Sequence, residues 1–153
     1  MDVVPLSRRF ALDIYTWRYP APHDCYDMTD ADPDDLLRPE LSFFALVRNG
    51  TLIGFRSFSS DGWVPGWAYD EAALDTGGGL RPALTGRGPG KQAIVTGLAF
   101  GRARWAPAAF RFTVAAFNVR ALRTASALGF KPLSSFSAAT DGRMFDVLVR
   151  SEG

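Results

Sequence analysis

Several residue types that would announce a function are scarce in this sequence. Cys25 is its one cysteine, so it has neither a disulfide framework nor a thiolate zinc cluster. His23 is its one histidine, and an imidazole is a useful base only where something positions it. Excess charge is missing too: 17 basic against 16 acidic residues leave a net charge of +1, which gives no general attraction to nucleic acid or to an anionic membrane. Lysine is rare beside arginine, which reflects genomic base composition rather than function. No apolar run approaches about 18 residues and the N-terminus lacks a signal-peptide core, so the expectation is a soluble, cytoplasmic protein with no membrane partner.

What is present is an apolar fraction of 47% over 153 residues, enough for a single domain, 1–153, with one continuous core. The most informative stretch is Leu80 to Phe100, LRPALTGRGPGKQAIVTGLAF. Gly86, Gly88 and Gly90 alternate with Arg87 and Pro89, so the backbone can take positive φ and nothing larger than hydrogen shields its amides. The spacing of Ile94, Val95, Leu98 and Ala99 predicts a helix over Lys91 to Arg104, whose unpaired N–H groups and positive dipole end follow the loop directly. Such a junction suits a phosphate group, and Pro89 is tolerated in the first helical turn. The loop is no Walker loop, since Lys91 is followed by Gln92, and its spacing is not that of the dinucleotide fingerprint. A purely structural strand-to-helix turn explains it as well.

Elsewhere, Phe10, Leu12, Ile14 and Thr16 alternate with Ala11, Asp13, Tyr15 and Trp17, which predicts a first strand within Leu6 to Arg18. Tyr19 to Tyr26, with two prolines, reads as a loop rich in side chains that can bond a polar ligand. Asp24, Asp27, Asp30, Asp32, Asp34, Asp35 and Glu40 face one basic residue, Arg38; Asp32-Pro33-Asp34-Asp35 is a helix start, and the same acids would suit a cationic ligand. Asn49-Gly50 joins two antiparallel strands, Ser42 to Arg48 and Thr51 to Ser57. Trp63, Trp67 and Tyr69 in the next loop either wall a ligand site or cover a sheet edge. Ala72 to Leu80 is expected as the fourth strand, with Gly77-Gly78-Gly79 marking a bulge or a close backbone approach. Within Ala109 to Phe130, Phe110, Phe112 and Val114 share one side of an alternation and predict a fifth strand; Asn118 caps the following helix, Gly129 ends it, and Asp141-Gly142 closes a final hairpin between Leu133 to Ala139 and Met144 to Arg150.

Two of these blocks carry a family resemblance. L-x-P-x-x-T-G-R-G-x-G from Leu80 resembles the coenzyme A loop of the GNAT acyltransferases, with Gly88 and Gly90 matching and Thr85 where the family usually has Arg or Gln. Asn118, Ala121, Gly129 and Phe130 resemble that family's next strand and helix. The resemblance implies an α/β fold with a central mixed, mostly antiparallel sheet of six to seven strands, flanked by helices and splayed between strands four and five, where acetyl-CoA binds. It implies cofactor contacts from Gly79, Leu80, Thr85, Gly86, Arg87, Gly88, Gly90, Lys91, Asn118 and Arg123, no metal, and N-acetylation of a primary amine, small or peptidic. Dimerisation is a family habit, so a homodimer is part of what the resemblance implies.

The reaction asks for a base, an oxyanion donor and an acid for the leaving thiolate. The resemblance implies a backbone N–H near Gly79 or Leu80 as donor. Asp75, on the fourth strand, stands near the position of many GNAT bases, and His23 and Tyr26 are the further catalytic candidates. The family's usual acid, a Tyr seven residues after the Asn, is replaced by Ala125; Tyr19, Tyr26, Tyr69 and water are the remaining sources of a proton. That substitution leaves open a second reading, a non-catalytic acyl-CoA binding or sensing domain. A third, a phosphate-binding module unrelated to coenzyme A, requires the second block to be coincidence.

Overall fold

The computed structural model describes residues 1–28 and 32–153; Asp30 of the acidic stretch lies outside the described residues. These residues form two compact units, 1–57 with 78–100, and 58–77 with 101–153.

The first unit is built on β1 (Asp2–Pro5), helix α1 (Arg8–Tyr15), and the hairpin β2 (Phe43–Arg48) and β3 (Thr51–Ser57). The strand expected over Leu6 to Arg18 is therefore a helix. Ser7 caps it, its Oγ accepting from Phe10 N at 3.2 Å, and Ala11, Ile14 and Trp17 are buried at three-residue spacing while Leu12 is 42% exposed. The apparent alternation of Phe10, Leu12 and Ile14 was incidental to a helical face. Strand β1, too short to show a period, pairs antiparallel with β2. At the hairpin, Asn49 and Gly50 take φ of 51° and 77°, the left-handed pair that a two-residue turn needs. Pro33–Leu37 is a 3₁₀ turn capped by the Asp32 carboxylate, as the acidic start suggests. Ala11, Ile14, Trp17, Leu36, Phe43, Ala45, Val47, Leu52 and Phe55 form the unit's main core.

The expected fourth strand is divided at Thr76. Leu74–Asp75 form β4, in one sheet, and Gly77–Leu80 form β5, in the other. Among the described residues the sheet orders are β1-β2-β3-β5 and β4-β6-β8-β7, so the sheet expected to splay beside its fourth strand consists of two sheets of four strands. The glycines explain how β5 lies beside β3. A Cβ on Gly78 would stand 2.3 Å from the Phe55 carbonyl oxygen, and one on Gly54 2.6 Å from that of Gly79. Nothing but hydrogen fits at either place.

Helix α2 (Pro89–Trp105) follows, with Pro89 as its first residue. Its buried positions are Ala93, Gly97, Leu98 and Gly101, not the larger face expected; Val95 is 45% exposed. A Cβ on Gly97 would meet Arg56 Cγ at 2.8 Å, so a small-residue stripe replaces the bulky one. Arg56 itself is buried on β3, which pushes its pKa down to about 10.

In the second unit, β4 pairs in parallel with β6 (Ala109–Ala115), and β8 (Met144–Ser151) lies antiparallel between β6 and β7 (Lys131–Ser137). Helix α3 (Val119–Ala127) starts at Asn118, whose Oδ1 accepts from Ala121 N at 3.3 Å, and ends at Gly129, with φ of 91°. Phe130 then stacks on Phe112 with centroids 4.1 Å apart. Caps, hairpins and the mixed, mostly antiparallel character match the sequence expectation.

Candidate active site

The loop before α2 begins at the 3₁₀ turn Pro82–Leu84, where Thr85 Oγ1 donates to Pro82 O at 2.7 Å. Gly86 and Gly88 have φ of 74° and 101°, conformations that L side chains rarely adopt. A Cβ on Gly88 would meet nothing within 4 Å, so its backbone faces open space. Arg87 and Lys91 are exposed on either side, and the first amides of α2 have no partners within the helix. Open amides, a dipole end and two cations make this loop a fit cradle for a multiply charged anion.

The cradle is fixed to the sheet through Arg81, which sequence reasoning passed over. Arg81 N donates to Ile53 O at 2.8 Å and its Nε to Leu52 O at 3.0 Å. Its two terminal nitrogens reach the Asp13 carboxylate at 3.3 and 2.6 Å, and its guanidinium lies 5.1 Å over the Trp17 ring. Trp17 Nε1 also donates to Asp13 at 3.1 Å. Burial works to raise the Asp13 pKa, but the hydrogen bonds from Arg81 and Trp17 outweigh it and hold the carboxyl below its ordinary value. No sequence signal links residues 68 apart; only the fold brings them together.

Tyr19 reaches the same strand. Its hydroxyl donates to Leu80 O at 2.6 Å, and a Cβ on Gly79 would stand 3.2 Å from it. Asp27 Oδ1 accepts from Tyr19 N at 2.9 Å. Burial, then the Asp27 charge, push the phenol up to about 12, so it is a neutral hydroxyl at any ordinary pH. His23 and Tyr26 are brought together in the following turn, ring centroids 6.2 Å apart.

Asp75 lies in the second unit, where its environment differs from that of a free base. Arg111 Nε and one terminal nitrogen hold its two oxygens at 2.7 and 2.8 Å, and Trp63 Nε1 donates to Oδ2 at 2.8 Å. Side-chain exposure is 2% for Arg111 and 5% for Asp75. Asp70 takes another Arg111 nitrogen at 2.9 Å, and this bond holds the Asp70 pKa down. The hydrogen bonds that Arg111 donates to Asp75 raise its own pKa against the effect of burial. The aromatic loop completes the cluster: Trp67 and Tyr69 lie 5.2 and 5.4 Å from the guanidinium, and Trp63 stacks on Tyr69. Those rings cover a buried arginine. In the same unit Asn118 is engaged as a cap, Arg123 is exposed on α3, and Ala125, where a tyrosine is usual, is only 1% exposed.

Among the described residues, no group of His, Cys, Asp or Glu is placed to hold a metal ion, and no helix is long and apolar enough to cross a membrane. Residues 9–130 match the family model described as the acetyltransferase (GNAT) family. The chain belongs to the GNAT acetyltransferase family. That family uses acetyl-CoA, and the glycine cradle fits the anionic half of such a cofactor. No curated protein matches this GNAT chain by sequence. Among solved structures it is similar to a spermidine N-acetyltransferase chimera from Vibrio cholerae and human sequences, with 13% identity over 99% of this chain and 96% of that one and a TM-score of 0.75. It is similar to the YncA protein of Salmonella typhimurium with its cofactor acetyl-CoA, at 15% identity, 98% and 92% coverage and a TM-score of 0.69. An aminoglycoside acetyltransferase in complex with coenzyme A has 16% identity, 99% and 95% coverage and a TM-score of 0.72. At these identities the likeness is one of fold.

Proposed function

We propose that this GNAT protein is an N-acetyltransferase that moves the acetyl group of acetyl-CoA directly to a primary amine. The observation that carries the reading is the open glycine cradle at Gly86 to Gly90, set on the N-terminus of α2 and reached straight from β5. Bound there, the cofactor supplies an activated acetyl thioester. The chain's own residues do the rest: the amides and the charges of Arg87 and Lys91 neutralise pyrophosphate, and the backbone of Gly79 and Leu80 offers polar groups along β5. Thr85 supports the loop by capping its first turn. Asn118 and Arg123 are not needed for this reading.

Asp75 serves as the counter-ion of Arg111 rather than as the base, because its oxygens already accept three hydrogen bonds. The half-buried His23, beside Tyr26 and in the same unit as the cradle, is the group proposed to receive the amine's proton. A cationic acceptor suits the acidic stretch, although Asp34 and Asp35 are paired with Arg8 and Arg38. The structural relatives named for spermidine and aminoglycosides are consistent with an amine of that kind.

The test is a calorimetric titration with acetyl-CoA beside S-acetylpantetheine, followed by a thiol-release assay over a panel of amines. Binding that requires the nucleotide half, together with amine-dependent thiol release, is expected. No binding at millimolar acetyl-CoA overturns the reading. Binding without thiol release favours the acyl-CoA sensing alternative, to which the buried Ala125 points.

A further inference from the structure

Strand β5 ends the order β1-β2-β3-β5, so among the described residues one of its edges has no neighbour in that sheet. The N–H of Arg81, the next residue along, points to β3, where it bonds Ile53 O. Backbone groups of consecutive extended residues point to opposite edges, so the Leu80 carbonyl faces the outer edge. The Tyr19 hydroxyl meets it there at 2.6 Å. A phenol has one hydrogen, and this one is committed to Leu80 O. The Leu80 N–H shares that edge with its own carbonyl and is left for a developing oxyanion, while Tyr19 Oη and Leu80 O themselves present only lone pairs to anything beside them. Two adjacent acceptors favour a group with more than one N–H and disfavour a carboxylate or phosphate oxygen. The tyrosine is held in place: its own N–H is bonded to Asp27, its ring is mostly buried, and Gly79 leaves room for the hydroxyl where any side chain would crowd it. The nearby Asp27 carboxylate adds a field that favours a cation.

We propose that Tyr19 is the specificity-determining residue of the acceptor site, its hydroxyl oxygen accepting an N–H of the incoming ammonium beside the Leu80 carbonyl and keeping that bond after the base has taken another of its protons, so that the freed nitrogen lone pair is oriented. This rests on the amine-acetylation reading and names the residue that selects the amine. Tyr19 gives up no proton in this role.

The test compares the unsubstituted protein with Tyr19→Phe, using spermidine, kanamycin and an alanine-terminated peptide as probes, and pursuing whichever the unsubstituted protein acetylates fastest. Two binding measurements accompany the kinetics: acetyl-CoA to each protein, and the amine to each protein saturated with coenzyme A. Loss of one hydrogen bond to a charged partner predicts an amine Kd and KM raised about tenfold or more, with kcat changed less than about threefold and acetyl-CoA affinity unchanged. A tenfold loss of acetyl-CoA affinity instead assigns the oxygen pair to the cofactor's own amides and overturns the proposal. So does a fall in kcat at constant KM, which makes the hydroxyl an acid, and so does no change. If Tyr19→Phe does not fold, Gly79→Ala crowds the hydroxyl from the backbone side and is expected to raise the amine KM in the same way; an unaltered KM overturns the proposal. Failure of the unsubstituted protein to bind acetyl-CoA overturns the acetyltransferase reading, and the assignment of Tyr19 with it.

Discussion

Arg111 grips both carboxylate oxygens of Asp75, at 2.7 and 2.8 Å, with each side chain almost wholly buried. Removing one partner from such a pair leaves the other charge desolvated without compensation. Asp75→Asn is therefore expected to lower stability by about 3 kcal/mol, read as an earlier midpoint in urea unfolding. Asp70 still holds one Arg111 nitrogen, which keeps the loss from being larger. A variant of normal stability whose kcat has collapsed would restore Asp75 as the base.

At Gly88 two effects have to be separated. Its φ of 101° strains any L residue, at a cost of roughly 1–2 kcal/mol, while a side chain there meets no protein atom. Gly88→Ala and Gly88→Glu should therefore unfold at nearly the same temperature. Only the glutamate adds negative charge beside the cradle, and it is expected to abolish acetyl-CoA binding in calorimetry. Equal affinities for the two variants would remove the loop from the cofactor site.

Gly78→Ala places a methyl 2.3 Å from the Phe55 carbonyl oxygen, a backbone atom that cannot rotate away. The expected result is destabilisation on the order of 2–3 kcal/mol from overpacking, with faster amide exchange along β5 and β3. An unshifted unfolding midpoint would mean that the two strands are less closely apposed.

The Asp13–Arg81 pair gives an acid dependence. The Asp13 pKa is lowered in the folded state, so its stabilising contribution is complete above the unfolded carboxylate value of about 3.9 and is lost as pH falls through the folded value. Melting temperatures of the unsubstituted protein and of Asp13→Asn should differ at neutral pH and converge on acidification below about pH 4. A gap that persists unchanged to low pH would show that the carboxylate charge is not what holds Arg81.

The sequence by itself determined whatever is local. Asn49-Gly50 and Asp141-Gly142 were legible as hairpins because Asn49, Gly50 and Gly142 take the left-handed φ those turns need. The cradle was legible because glycine alternation and a helix start are adjacent in the chain. The caps at Asp32, Asn118 and Gly129 were legible for the same reason. Tertiary structure decided what depends on partners distant in sequence. Whether Phe10 to Trp17 coils or extends turned on which of its faces found a core, and both periods fitted so short a run. The division of the fourth strand depended on Phe55 and Arg111 lying opposite its two halves, at Gly78 and at Asp75. Asp75 became a counter-ion and Tyr19 a neighbour of Leu80 through contacts spanning 36 and 61 residues. Side-chain chemistry names what a residue is able to do; the partners that folding brings within hydrogen-bond reach decide which of those things it does.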